Sequence, residues 1–341
     1  MGLNKPHWEV QESNRSMKIK DITARDIWTA KKRITPYITR TPLVYSHKLS
    51  QLTGANIYLK LENLQEIGAF KVRGAANKIL SLTDEQKSKG ISTFSTGNHG
   101  LACAYIASKL GVKATVCMSA HVPEVKVNNI KRWGAEIKQD WDSQDAAGVY
   151  CYELQEKEGV TVIPPFDDKE IICGQATMSL EIIEDCPDID TVLVPLSGGG
   201  LISGVTLGMK MTVPDVKIVG ISQMKAAVMI ESLKAGHPVE MPEEPTLADS
   251  LLGGIGLDNK YTFDITKELV DETAQVTEEQ IADGMAYIIE NHKVIAEGAS
   301  CVGIAYALQK GNIKPGSNVA IVVTGCGVPM SQIKEIINSH F

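Results

Sequence analysis

Four short segments hold residues whose types and spacing can do chemistry. In Ile57 to Ala75 a β-rich run ends, a turn follows, and the pair Phe70-Lys71 opens a helical stretch. A helix N-terminus disfavours a cation, so a lysine placed there is pushed toward its neutral amine, a form suited to Schiff-base chemistry. An ordinary solvated lysine is the alternative. In Thr191 to Gly204 a strand runs into Ser197-Gly198-Gly199-Gly200-Leu201 and on into a helix. Three adjacent glycines let successive backbone N–H groups converge on one anion, most naturally a phosphate; a tight packing turn stays open beside that reading. A Walker loop is excluded for want of Gly-Lys-Ser/Thr. A dinucleotide fingerprint is excluded because Ser203 stands at the third glycine and the next strand ends in Ser222 rather than an acid. In Phe94 to Gly100, the residues Ser95, Thr96, Asn98 and His99 crowd another strand-to-helix junction, able to hold a carboxylate or simply to cap the helix. In Val319 to Gly327 a strand ends in Thr324 and then glycine, either a close approach of a ligand to backbone or a plain turn.

Other chemistries lack their residues. The seven histidines show no ligand spacing, so no metal site is expected. The seven cysteines form no C-x-x-C pair and read as reduced thiols of a cytoplasmic protein. A net charge of −7 without a basic block argues against nucleic acid as a partner. Apolar runs are too short to span a bilayer, so no membrane role is expected, and the polar first 17 residues read as a tail rather than a secretory signal. With 341 residues, 43% of them hydrophobic, the chain has ample core for one large or two smaller domains.

The elements that must position these segments follow one rhythm. Helical stretches close on glycine at Gly90, Gly111, Gly134 and Gly159, and short β-rich runs follow at Ile91–Thr96, Ala114–Met118, Ala135–Gln139 and Val160–Ile163. Further strands are expected at Thr191–Leu196, Lys217–Ser222 and Val319–Thr324, and helices at Gly199–Met211, Thr277–Asn291 and Gly298–Gln309. Gly236–Asp249, with three prolines, reads as a surface loop. Alternating strands and helices mean an α/β protein with parallel sheets covered on both faces, in two lobes with a cleft between them. Ligands gather at the carboxyl ends of such strands, where all four segments lie.

Taken in order, the four segments resemble the fold-type II pyridoxal-phosphate enzymes, the serine/threonine dehydratase and serine racemase group in particular. The resemblance runs from Ile22 to Ile337 and includes Arg40-Thr41-Pro42-Leu43, Lys60 to Gln65, Lys131 to Ala135 and Gly174-Gln175-Ala176-Thr177. Within the group, Val219 to Gln223 and Ala248 to Asp258 resemble the hydroxyectoine-utilisation dehydratases. The resemblance implies a two-domain, tryptophan-synthase-β-like fold of two three-layer parallel α/β units. Residues 1–88 and 167–341 would form the large pyridoxal-phosphate domain, and 89–166 a small mobile one. It implies that Lys71 carries the cofactor as an imine and later takes the Cα proton, with Phe70 beside the ring and Asn98 on the ring 3′-oxygen. Ser197, Gly198, Gly199, Gly200 and Leu201 would cradle the phosphate, and Thr324 would meet the pyridine nitrogen. Ser95, Thr96 and His99 would hold the substrate carboxylate. A hydroxyl at the pyridine nitrogen leaves the ring less positively charged than a carboxylate would, favouring prompt loss of a β-leaving group.

The activity so implied is loss of water from a small L-β-hydroxy amino acid, threonine- or serine-like, giving a 2-oxo acid and ammonia. An amino-acid racemase and a β-replacement synthase are the alternatives on the same fold, and a homodimer is expected. Departures from the family pattern bear on these expectations. Ala69 replaces the usual serine before Phe-Lys, Ser197 replaces a glycine of the phosphate loop, and Thr96 stands where racemases carry a serine acid/base. Ser222 and Val228 stand where relatives bind a divalent cation, and the chain stops too soon after Thr324 for a C-terminal amino-acid-sensing domain.

Overall fold

The computed structural model describes Ile19 and residues 21–95, 97–120, 122, 124–142 and 144–341. Its strands are β1 (Leu43–Tyr45), β2 (Asn56–Leu61), β3 (Ile91–Phe94), β4 (Ala114–Ser119), β5 (Glu136–Trp141), β6 (Thr161–Val162), β7 (Thr191–Pro195), β8 (Lys217–Gln223), β9 (Glu272–Val276) and β10 (Asn318–Val323). The α-helices are α1 (Ala24–Ile34), α2 (His47–Thr53), α3 (Lys71–Ser81), α4 (Asp84–Lys89), α5 (Asn98–Leu110), α6 (Glu124–Lys131), α7 (Gln144–Glu158), α8 (Lys169–Asp185), α9 (Gly200–Lys210), α10 (Val228–Ala235), α11 (Thr262–Leu269), α12 (Glu278–His292), α13 (Gly298–Leu308) and α14 (Met330–His340).

Six strands form one sheet in the order β1-β2-β10-β7-β8-β9, and four form a second in the order β5-β4-β3-β6. Helices cover both faces of the central strands, as continuous apolar runs require. Leu193, Val319, Ile321 and Val323 pack toward α12 and α13. The alternate residues Val192, Val194, Ala320 and Val322 pack on the opposite face, with Ile182 of α8 and Ile202 and Val205 of α9. The smaller sheet is built the same way. Val116 and Met118 meet Val127 and Ile130 of α6, and Cys117 meets Cys151 and Leu154 of α7. Glycine supplies the expected left-handed helix end at Gly111, φ 65°, which turns α5 into β4.

The parallel expectation needs one correction. β1 pairs with β2 antiparallel, through Leu43 opposite Lys60 and Tyr45 opposite Tyr58. Only residues 46–55 join the two strands, fewer than the dozen or more that a parallel crossover needs, so the chain turns back through the short α2. The remaining pairs in both sheets are parallel.

Candidate active site

The ends of β2, β3, β7 and β10 open onto one cavity of about 1430 Å³, lined by Phe70, Lys71, Ser95, Asn98, His99, Ser197, Gly198, Gly199, Gly200, Leu201 and Thr324. Sequence-distant segments are stitched together to make it. Phe70 N–H donates to Thr324 O at 2.9 Å, Ala69 bridges Gly325, and Cys326 N–H donates to Gly68 O at 2.9 Å. Those bonds hold the first turn of α3 against the end of β10. Every expected site residue among those described lines the cavity; Thr96 lies outside the described residues.

Lys71 is the first residue of α3. Its Nζ donates to Pro165 O at 2.7 Å and lies 5.4 Å from the centre of the Phe70 ring. Loss of water around the amine pulls its pKa down to about 8, and the coulombic influence of Cys103 and Glu297 only partly resists. Desolvation is thus the first cause of an amine near neutrality, with the helix start added to it.

The Ser197 loop is both a cradle and a packing turn. Gly199 has φ 88°, in the left-handed region. A Cβ on Gly198 would stand 2.5 Å from the Phe166 ring, and one on Gly199 2.7 Å from Thr262 Cβ. The glycines therefore let the loop press on Phe166 and Thr262 while its other side faces the cavity. Ser203 N–H donates to Gly199 O at 2.9 Å as the helical ladder begins. The amides before it have no intrahelical acceptor and sit at the positive end of α9, a donor set suited to a phosphate. Asp167 fixes the facing loop, accepting from the backbone N–H of Lys260, Tyr261 and Thr262 at 2.6, 2.8 and 3.0 Å.

Two residues of the third segment turn out differently bonded from a simple donor cluster. His99 is 2% exposed, its Nε2–H donates to Ile163 O at 3.0 Å, and Nδ1 is buried with no partner among the described residues. Burial and then the charge of Lys71 lower its pKa to about 3, so the ring is neutral. As bonded, His99 offers an acceptor lone pair, which does not suit the carboxylate-binding role expected of it. Asn98 Nδ2 donates to both oxygens of Glu297, at 3.0 and 3.2 Å.

Glu297 is the site residue that sequence reasoning passed over. It is 2% exposed, lines the cavity and also accepts from Gly327 N–H at 2.7 Å. Burial raises its pKa and Asp249 adds to that, while Asn98, Gly327 and Ser250 oppose it. Its only sequence signal was an acid directly before the small residues Gly298-Ala299-Ser300 that open an apolar helix. At the end of β8, Ser222 Oγ donates to Gln223 Oε1 at 2.9 Å, and Val228 begins α10.

A lysine with a weakened hold on its proton, a phosphate cradle and a hydroxyl at a strand end share one cavity on a doubly covered α/β fold. That combination fits pyridoxal phosphate, and comparison with known proteins agrees. The sequence profile of the pyridoxal-phosphate-dependent enzymes matches residues 34–325, and the chain belongs to that family. It is 41% identical over 317 residues to the L-threonine ammonia-lyase of Thermotoga maritima, covering 93% of this chain and 78% of that one. Among solved structures it resembles maize serine racemase, with a TM-score of 0.87, 35% identity, and coverage of 94% of this chain and 98% of that one. It also resembles threonine deaminase isoform 2 of Solanum lycopersicum, with a TM-score of 0.85, 31% identity, and coverage of 93% and 89%.

Proposed function

We propose that this protein is a pyridoxal-phosphate-dependent ammonia-lyase of the threonine/serine dehydratase type, converting a small L-β-hydroxy amino acid to a 2-oxo acid and ammonia. The observation that carries the reading is Lys71 Nζ, with its pKa near 8, in the same cavity as the Ser197 loop and Thr324. Relatives named L-threonine ammonia-lyase and threonine deaminase support it. Pyridoxal phosphate, when bound, supplies the electron sink for a carbanion at the substrate Cα. The chain's own residues do the rest. Ser197 to Leu201 would grip the phosphate through main-chain amides, Phe70 would pack beside the ring, and Asn98, anchored by Glu297, would hold the 3′-oxygen. Thr324 would meet the ring nitrogen. Lys71 Nζ would take the Cα proton and return a proton to the β-hydroxyl, which would leave as water. Ser95, with Thr96, receives the substrate carboxylate.

Lys71→Ala tests the assignment. Purified wild-type protein should be yellow and release ammonia from threonine or serine; the variant should be colourless and lose turnover by at least about 10³-fold. Ammonia release retained by the variant would refute the role of Lys71. A racemase is the second reading, favoured by the likeness to maize serine racemase. Chiral analysis of residual substrate separates the two, since a dehydratase leaves no D-enantiomer.

The finer substrate reading rests on the likeness of the stretches Val219–Gln223 and Ala248–Asp258, the latter contributing Asp249 to Gly254 to the cavity wall. They support a place near the hydroxyectoine-utilisation dehydratases. A panel of threonine, serine, 3-hydroxyaspartate, phenylserine and hydroxylated diaminobutyrate, assayed for 2-oxo acid, decides it; preference for threonine would count against that placement. We further read the chain as a cytoplasmic homodimer whose residues 89–166 move as a small domain against 1–88 and 167–341. Light scattering of the holoenzyme checks the dimer, and hydrogen exchange with and without substrate checks the moving part.

A further inference from the structure

The carbonyl that receives Lys71 belongs to a short, stiff run of chain. Ile163-Pro164-Pro165-Phe166 leaves the four-stranded unit directly after β6. At its far end Phe166 presses on Gly198 and Gly200 of the Ser197 loop. Each proline fixes its own φ, and each residue before a proline is confined to extended backbone. Between Ile163 O and Pro165 O the chain therefore has little freedom, and the packing of Phe166 takes up what is left. Whatever fixes the first carbonyl fixes the second.

Ile163 O is fixed from the four-stranded unit. It accepts from Thr93 Oγ1 of β3 at 2.8 Å and from His99 Nε2–H of α5 at 3.0 Å. A carbonyl oxygen has two lone pairs, so both are used. Cys103 Sγ lies at the longer distance of 3.6 Å from the same ring nitrogen. Nδ1 is buried with no partner among the described residues, so a second proton on the ring would have nothing to bind. Two residues along from Ile163, Pro165 O accepts from Lys71 Nζ at 2.7 Å.

We propose that His99 is a positioning residue: by holding Ile163 O it sets, through the two prolines, where Pro165 O stands and so where the Lys71 amine is held while it is not bonded to pyridoxal phosphate. This rests on the ammonia-lyase reading above and gives His99 a part different from the carboxylate contact expected of it. The ring moves no proton. A Lys71 ammonium carrying the Cα proton needs an acceptor in a site where water is scarce, and Pro165 O supplies one. Displacing that carbonyl by about 1 Å misplaces the base, which costs the chemical step up to about a hundredfold.

Crystals of the cofactor-free protein and steady-state kinetics of the holoenzyme test this together. In cofactor-free His99→Leu, Lys71 Nζ and Pro165 O should part beyond about 3.5 Å, the limit of a hydrogen bond. The same variant should lose about tenfold or more in kcat, with KM for the amino-acid substrate changed by less than about twofold. His99→Gln, whose amide can donate from the same reach, should keep the Lys71 contact and recover most of the kcat. A Lys71 contact kept in His99→Leu, or a glutamine variant no better than the leucine one, overturns the proposal. So does a raised KM at unchanged kcat, which would put His99 on the substrate carboxylate after all. Should His99→Leu fail to fold, His99→Gln decides alone: the contact with most of the kcat supports the role, and loss of either overturns it. Wild-type protein that binds no pyridoxal phosphate brings down the cofactor reading, while the distances in the cofactor-free crystals still judge the hold of His99 on Lys71.

Discussion

Lys71 makes the folded chain less stable, and pH should expose by how much. In the unfolded chain its amine holds a proton up to pH 10.5, in the folded protein only up to about 8. Above 10.5 the amine is neutral in both states and imposes no penalty. As pH falls the unfolded chain binds the proton first, so stability declines and reaches its floor below about 8, a penalty of roughly 3 kcal/mol. In the cofactor-free protein, Lys71→Met should therefore raise stability at pH 7 by on the order of 2 kcal/mol, the bond to Pro165 O being lost. Urea unfolding of the two proteins should show that gain fading between pH 8 and 10.5; a gain independent of pH would count against a charged, desolvated amine. Glu297 poses the complementary case. It accepts from Asn98 Nδ2 and from Gly327 N–H, so Glu297→Gln turns an amide donor toward one of those donors. Pyridoxal phosphate titrated into the apoprotein should bind about tenfold more weakly to that variant, and equal affinity would remove Glu297 from the cofactor site.

At the scale of elements, the cavity wall is backed by a buried charge network. Arg73 of α3 bonds Glu62 with Nε and Nη2 at 2.8 Å each, and reaches Glu181 of α8 with Nη1 and Nη2 at 2.7 Å each. Lys60 of β2 donates to Glu181 and to Thr41 O at 2.6 Å. Two cations and two carboxylates cancel, and every fork of the guanidinium is used, which is what makes such burial tolerable. Arg73→Met would leave Glu62 without a hydrogen-bonded cation and Glu181 with Lys60 alone, and should lower stability by about 3–5 kcal/mol in denaturant unfolding; a loss under 1 kcal/mol would mean the network is not buried as described. The same helices meet at glycine: a Cβ on Gly174 would stand 2.5 Å from Arg73 O and 2.6 Å from Gly74 Cα. Sequence reading reached these elements where the local signals were strong. The apolar runs of β7 and β10 and the glycine after α5 placed themselves within a residue or so. It did not reach β9, because Glu272-Thr-Ala-Gln-Val276 is a polar edge strand paired on one side only, by β8. The direction of β1 was hidden because it depends on connection length rather than composition. Glu297 was hidden because a lone acid before small residues looks like an ordinary helix start until Asn98 is brought to it from 199 positions away.

For the whole molecule, the question is how the four-stranded unit is held across the cavity from the six-stranded one. Beside the apolar cluster shared by Val72, Ala75 and Ile79 of α3 with Ala102, Cys103 and Ile106 of α5, two hydrogen bonds between side chains cross it among the described residues. Asn98 of α5 reaches Glu297 before α13, and Lys126 of α6 reaches Asp249 at 3.3 Å. They differ in kind. The first is the more buried and lies in the cavity wall beside Lys71. The second joins side chains 34% and 48% exposed, so salt screens it and it contributes about 0–1 kcal/mol to stability. A contact that weak does not hold the fold together, but Lys126 and Asp249 both line the cavity, so on the proposed movement of residues 89–166 it would shift the balance between open and closed cleft. Lys126→Met should therefore leave the melting temperature within about 2 °C of wild type. It should raise KM for the amino-acid substrate severalfold and change kcat little, because chemistry at Lys71 is untouched once the cleft is shut. The wild-type KM should climb with added sodium chloride toward the variant's value, while the variant's own KM stays level. If the variant instead kept the wild-type KM at low salt, the Lys126–Asp249 pair would be a surface contact with no part in closing the cleft.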